Sequence, residues 1–186
     1  MRGTVAAALP LSASDTVLDI GCGVGYYLGT LAQAAGCAGS GVDLSVAAID
    51  TAARRYPSCL WVVANADRFL PYANHSCSAA ICITARMNAP EIHRVLQPGG
   101  RLLVAIPAPD DLIELRGTGR DRIARTQAMF ATDFAFAGHS RATASAELDQ
   151  QAVEDVLHAI YRPLQPQAPQ VQRVTFSLDL LLFHSL

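Results

Sequence analysis

A chain of 186 residues, 51% of them hydrophobic, can bury one full core and leaves little room for a second, so residues 1–186 are read as one domain. Fourteen cations, all of them arginine, stand against sixteen acids for a net charge of -2, which excludes a grip on nucleic acid built on bulk charge. The longest apolar runs, such as Leu102 to Ile106, fall far short of the roughly 18 residues of a membrane helix, and MRGTVAAALPL lacks the apolar region of a secretory signal, so a soluble, cytoplasmic protein is expected.

Over the first three quarters of the chain, short β-like runs alternate with helical stretches, the pattern of a parallel sheet covered on both faces. Thr16 to Ile20 is the first predicted strand. Tyr26 to Ala35 follows as a helix, with Tyr27, Leu28, Leu31 and Ala35 at helical spacing and Gly36 ending it. Ser40 to Leu44 reads as the second strand, Ser45 as the cap of a helix reaching Tyr56, and Pro57 as its stop. Leu60 to Val63 is the third strand. After a loop from Asn65 to Ser78, AAICI from Ala79 to Ile83 reads as a central strand because it is apolar on both faces. A short helix is expected near Pro90, whose fixed φ suits a first helical position, and PGG at Pro98 to Gly100 turns the chain into the fifth strand, RLLVAI. Beyond Pro107 the pattern predicts a polar stretch, a strand within Phe134 to Ser145 and a helix from Leu148 to Tyr161. A proline-rich loop from Leu164 to Gln170 then leads into a last strand, VTFSLDLLLF. Arg116, Arg120, Arg122 and Arg125, interrupted by Glu114 and Asp121, are expected on a solvated helix face, with a local nucleic-acid-binding patch as the alternative.

Chemistry concentrates at VLDIGCGVGYY. Gly21, Gly23 and Gly25 are spaced G-x-G-x-G, one residue short of the dinucleotide fingerprint G-x-G-x-x-G. A strand ending near Asp19, a bare turn and a helix place backbone N–H groups where a ligand can approach closely, which suits a nucleoside. Asp43, at the end of the second strand, can accept two hydrogen bonds from ribose hydroxyls. Cys22, Cys37, Cys59, Cys77 and Cys82 form no C-x-x-C pair, so buried thiols are expected rather than a disulfide framework or a metal site.

LDIGCGVGYY, VDLS and LQPGG together resemble the class I, seven-strand S-adenosylmethionine-dependent methyltransferases. The resemblance implies an α/β fold with a doubly wound, mostly parallel, Rossmann-like sheet in the order 3-2-1-4-5-7-6, the last strand antiparallel. It implies S-adenosyl-L-methionine as cofactor, held by the turn Gly21, Cys22, Gly23 and Gly25. Asp19 would sit near the methionine amino group, Asp43 on the ribose, Leu44 and Asn65–Ala66–Asp67 around the adenine, and Thr84 to Ala89 facing the methyl group. GCGVGYY, VDLSVAAIDTAARRYP, LP-x-A-N-H-S and HRVLQPGGRLLVAIPAPDDLIELRG further resemble the large-subunit ribosomal RNA guanine-N1 methyltransferases, from Thr16 to Gly117. In that subgroup a zinc-binding cysteine domain precedes the catalytic domain and is not expected here. Its aromatic-Ala-Pro-Cys segment after the fourth strand is replaced by Thr84–Ala85–Arg86–Met87.

The expected acceptor is an RNA guanine, as in rRNA methylation, or a small metabolite. Methyl transfer needs alignment within about 3 to 3.5 Å more than a nucleophile, so no catalytic residue is singled out. Asn88 is either a polar group of the acceptor pocket or an N-cap before Pro90 and Glu91, and Tyr161 either closes the pocket or ends a helix. His93 and His139 read as surface or packing residues. The altered segment after the fourth strand also admits other chemistry on the same cofactor, such as cyclisation of its aminobutyrate arm, or a non-catalytic binding module. The first dozen residues, the Thr84 to Pro90 loop and the chain beyond Pro107 are expected to form a small lid, with Arg116 to Arg125 mobile without ligand and a homodimer or partner subunit completing the cover.

Overall fold

The computed structural model describes residues 1–159 and 171–186, apart from the side chains of 159 and 171. Strand β1 (Thr16–Ile20) and helix α2 (Tyr26–Ala35) take the predicted bounds, following helix α1 (Arg2–Ala8). Next come β2 (Ala38–Asp43), α3 (Val46–Arg55), β3 (Leu60–Val63), β4 (Cys77–Ile83), α4 (Ala89–Val95) and β5 (Leu96–Pro107). The chain ends with α5 (Ile113–Arg116), α6 (Ile123–Phe130), β6 (Phe134–Asp149), α7 (Gln150–Ala159) and β7 (Val171–Ser185). One seven-stranded sheet runs β3-β2-β1-β4-β5-β7-β6, as expected, parallel up to β5 and antiparallel at β7.

Alternation along the strands splits the core into two layers. Leu18, Ile20, Val104 and Phe183 pack with Ile92 of α4 and Phe130 of α6 on one face. Val17, Ile81, Leu103 and Leu180 pack with Val5, Leu9, Leu28 and Leu31 on the other. The N-terminal residues are core: Val5 and Leu9 are fully buried. Their spacing of four was hidden by the alanine run, which carries no apolar period.

The LP-x-A-N-H-S segment is pinned to α4 by polar groups. Arg94 donates to the carbonyls of Leu70 (2.7 Å) and Tyr72 (2.8 Å), and Glu91 accepts the Leu70 N–H at 2.8 Å. Pro90 takes the second helical position, because Asn88 rather than Ala89 is the N-cap. Gly99, with φ 72°, lies inside the long β5, so the PGG element is an irregularity of the strand and not a turn before it.

Helix α7 begins at Gln150, later than expected, because β6 continues to Asp149, whose carboxylate accepts the Ala152 N–H at 2.8 Å. The end of the predicted helix, including Tyr161, and the loop from Leu164 to Gln170 lie outside the described residues. β7 pairs with β5 only from Leu178 onward, so Val171 to Ser177 and their β6 partners project past the carboxyl end of β5. Among the described residues, no helix is long and apolar enough to cross a membrane.

Candidate functional site

The turn from β1 to α2 is tied to β2 by its own backbone. Gly21 N–H and Cys22 N–H both donate to the Val42 carbonyl, at 2.9 and 3.1 Å, and Gly23 N–H donates to Asp43 Oδ2 at 2.8 Å. Gly21 has φ +73°, and a Cβ there would lie 2.3 Å from that of Ala85; at Gly25, with φ +74°, it would lie 2.5 Å from Trp61 Cη2. Both positions demand glycine by conformation and by space. The other Asp43 oxygen accepts the Ser45 N–H at 2.8 Å, so the carboxylate plane is fixed while each oxygen keeps a free lone pair.

Gly21, Asp43, Leu44, Asn65 and Ala66 come together around one cleft of about 420 Å³, closed on its far side by Ala85. Leu44 is 68% exposed and offers an apolar surface at the mouth. Asp19 lies beneath the turn, 2% exposed, and burial, with the nearby Asp43 charge, raises its pKa to about 7 against the lowering pull of the Leu28 N–H. Among the described residues, no cationic side chain contributes to its environment. Cys22 is buried behind the turn, and burial lifts its thiol well above the usual range; that of Cys82 is pushed up to about 12. All five cysteines are free, and among the described residues no group of three ligating side chains could hold a metal.

At the end of β4, Thr84 takes φ 52°, its N–H held by the Ala105 carbonyl at 2.9 Å. A second cleft, of about 520 Å³, opens on this side, lined by Thr84, Ala85, Met87 and Ile106 and by Arg120, Arg122 and Arg125. A third, of about 370 Å³, adjoins it and shares Pro107, Arg120 and Arg122. Ala85 borders the first and second clefts alike.

Asn88 lines neither of these two clefts; it caps α4, accepting from Glu91 N–H at 3.4 Å and donating to the Asp67 carbonyl at 2.9 Å. His93 packs edge-on to Phe134, and His139 pairs with buried Asp179 at 2.9 Å. The four arginines do not share a helix face. Arg116 ends α5, Arg120 lies in the connection, and Arg122 and Arg125 start α6, because Gly117 and Gly119 interrupt the helix between them. Sequence reasoning therefore missed Arg120, Arg122 and Arg125 as cleft residues; four arginines within ten positions were the available signal.

Residues 17–100 match the family model described as methyltransferase domain. The chain is 34% identical over 164 residues to the 23S rRNA (guanine(748)-N(1))-methyltransferase of Streptomyces fradiae, covering 84% of this chain and 59% of that protein. It is 33% identical over 166 residues to a putative 23S rRNA (guanine-N(1)-)-methyltransferase, YxjB, of Bacillus subtilis (strain 168), covering 83% and 58%. The chain thus spans under two thirds of the length of these relatives. Among solved structures, a putative methyltransferase from Bacillus halodurans superposes with a TM-score of 0.70 at 13% identity, over 98% of this chain and 97% of that one. With this sheet order and a glycine turn between two aspartates, the chain has the fold of the class I, seven-strand S-adenosylmethionine-dependent methyltransferases, and its residues 17–100 are similar to a methyltransferase domain.

Proposed function

We propose that the chain moves the methyl group of S-adenosylmethionine to N1 of a guanine in RNA where the first cleft meets the second at the edge of Ala85, the S–CH3 bond breaking as N1–CH3 forms and the N1 proton leaving to solvent. The observation that carries this reading is the meeting of the two clefts at Ala85, one lined by Gly21 and Asp43 and the other rimmed by arginine. The bound cofactor supplies a methyl group on a sulfonium, a leaving group already activated. Asp43, oriented by Gly23 and Ser45, accepts the ribose hydroxyls through its remaining lone pairs. Asp19, a buried carboxylate with no cationic neighbour among the described residues, takes the ammonium of the methionine arm. Leu44, Asn65 and Ala66 border the adenine, and Gly21, Cys22, Gly23 and Gly25 give the close approach of backbone.

Met87 and Ile106 make the acceptor side apolar, so water is displaced where alignment matters; such positioning is worth about 7 to 11 kcal/mol in favourable cases. The guanine reading draws on the two relatives named for that activity. A small-molecule acceptor is the second reading, favoured by a cleft of about 520 Å³, a volume ordinary for small ligands. Both core layers share one sheet, which supports treating the chain as one domain.

Methyl-labelled cofactor incubated with total RNA and with a metabolite extract tests the reading. Label in RNA that nuclease digestion returns as N1-methylguanosine supports it, and label confined to small molecules defeats the RNA acceptor. Methylthioadenosine in place of S-adenosylhomocysteine would point instead to cyclisation of the aminobutyrate arm.

A further inference from the structure

Three of the cleft arginines lack an acidic partner. Arg116 is committed, its guanidinium on Asp111 Oδ2 at 2.8 Å and on the Asp111 carbonyl at 2.7 Å. Among the described residues no ion pair engages Arg120, Arg122 or Arg125. Asp121 is the one carboxylate in the second cleft's lining, and one of its oxygens is turned onto the Ile123 N–H at 2.8 Å. Positive charge therefore exceeds negative around a space floored by Ile106 and Met129.

Helix α6 adds donors at the same place. Its first intrahelical bond runs from Thr126 N–H to the Arg122 carbonyl at 2.9 Å, and Arg122 supplies no side-chain cap. The N–H groups of Ala124 and Arg125 are left for an outside acceptor. Like charges that outnumber their acids repel one another, and an anion between them relieves that repulsion. A phosphate suits the arrangement, since its several oxygens can meet planar guanidinium groups arriving from a loop and from a helix start.

We propose that Arg120, Arg122 and Arg125 form an anion subsite that grips a phosphate of the acceptor beside the transfer position. This rests on the reading above, in which the acceptor is a nucleotide of RNA; the same chemistry would hold a phosphorylated small molecule. Arg116, neutralised by Asp111, stands outside the subsite.

The test titrates a synthetic guanine-containing RNA hairpin into the whole protein between 50 and 200 mM salt, for the wild type, for each single Arg→Gln change and for Arg120→Gln/Arg122→Gln/Arg125→Gln together. Calorimetry with S-adenosylhomocysteine and with guanosine monophosphate runs beside it. The expected result is a log–log salt slope shallower by roughly 0.7 to 0.9 for each phosphate that is no longer neutralised, with hairpin affinity at 50 mM down at least about 10-fold in the triple variant. S-adenosylhomocysteine affinity should be unchanged, which also reports that the variants fold; the single variants carry the test if the triple one does not. Equal slopes and affinities in wild type and variants overturn the proposal, as does a wild type that binds neither hairpin nor mononucleotide. Arginine-dependent mononucleotide binding without hairpin binding keeps the subsite and overturns RNA as its source. A wild type that fails to bind S-adenosylhomocysteine while binding the hairpin through these arginines defeats the methyl-transfer reading and leaves the subsite standing.

Discussion

Asp19→Asn separates what the buried carboxylate costs the fold from what it gives the ligand. The folded protein holds the Asp19 proton up to about pH 7, whereas the ordinary value is 3.8. Because the folded pKa is the higher one, this group's contribution to stability is fully present below 3.8 and is lost as pH rises through about 7. At about 1.36 kcal/mol per unit, the raised pKa costs the ligand-free fold roughly 4 kcal/mol at pH 8, where the buried group is ionised, and roughly 2 kcal/mol at pH 5, where folding must take up a proton. Asparagine keeps the shape and an acceptor for the Leu28 N–H but does not titrate. Urea unfolding of the ligand-free protein should therefore find Asp19→Asn more stable than the wild type, with a gain about 2 kcal/mol larger at pH 8 than at pH 5. The same variant should bind S-adenosylhomocysteine about 10- to 100-fold more weakly, the loss expected when a charged partner is removed. Parallel pH profiles of stability in the two proteins would refute the buried-charge argument, and unchanged ligand affinity would refute the pairing with the ammonium.

Asp43→Ala removes the ribose acceptor and frees the Gly23 and Ser45 N–H groups, so calorimetry should show S-adenosylhomocysteine binding weaker by at least about 10-fold with the fold retained by circular dichroism. Gly21→Ala forces a Cβ toward Ala85 at φ +73° and should cost about 1 to 2 kcal/mol for conformation and about 1 to 3 kcal/mol for overpacking, read by urea unfolding, with binding abolished. Burial pushes the Asp15 carboxyl up, but hydrogen bonds from Ser78, the Ser12 N–H and Arg101 outweigh it and hold the pKa well below the usual range. Its contribution is present above 3.8 and lost as pH falls further, so Asp15→Asn should flatten the acid side of the thermal stability profile. Asn88→Ala should cost about 1 kcal/mol as a lost cap while leaving the methyl-transfer rate per folded molecule within about 2-fold, because its amide is spent on Glu91 and Asp67.

Local chemistry was legible and distant pairing was not. Tyr26–Ala35 was read to the residue because Gly25 and Gly36, both at positive φ, bound it from within the sequence, and Ser45 declared the start of α3 by capping it. Val171–Ser185 was underestimated because, among the described strands, its outer half pairs with β6 alone, a pairing that no local signal reports. Helix α6 escaped notice because its inward positions include Thr126, buried at 3% exposure, where an apolar residue would have completed the period with Ile123 and Phe130. At the site, the fixed spacing of Asp19, the glycines and Asp43 announced the first cleft. The second depends on a loop and a helix start that fold back over β4 and β5, so its arginines could be counted in the sequence but not placed.

Thr84 joins the two clefts. A β-branched residue at φ 52° is a backbone outlier of the kind that costs about 1 to 3 kcal/mol, and such strain persists only where surrounding contacts over-determine it. Here the Ala105 carbonyl fixes the Thr84 N–H, and the left-handed bend directs the chain off the end of β4 and back over the β1 turn. Ala85 then occupies the volume a Gly21 side chain would need. Gly21 is bare because Ala85 is there, and Ala85 is there because Thr84 is bent. Relaxing Thr84 toward an extended conformation would carry Ala85 away from Gly21 and merge two clefts into one open groove. An in-line transfer needs donor and acceptor within about 3 to 3.5 Å with nothing between them, so the proposed reaction has to pass the edge of Ala85, where the clefts meet, and not go through it.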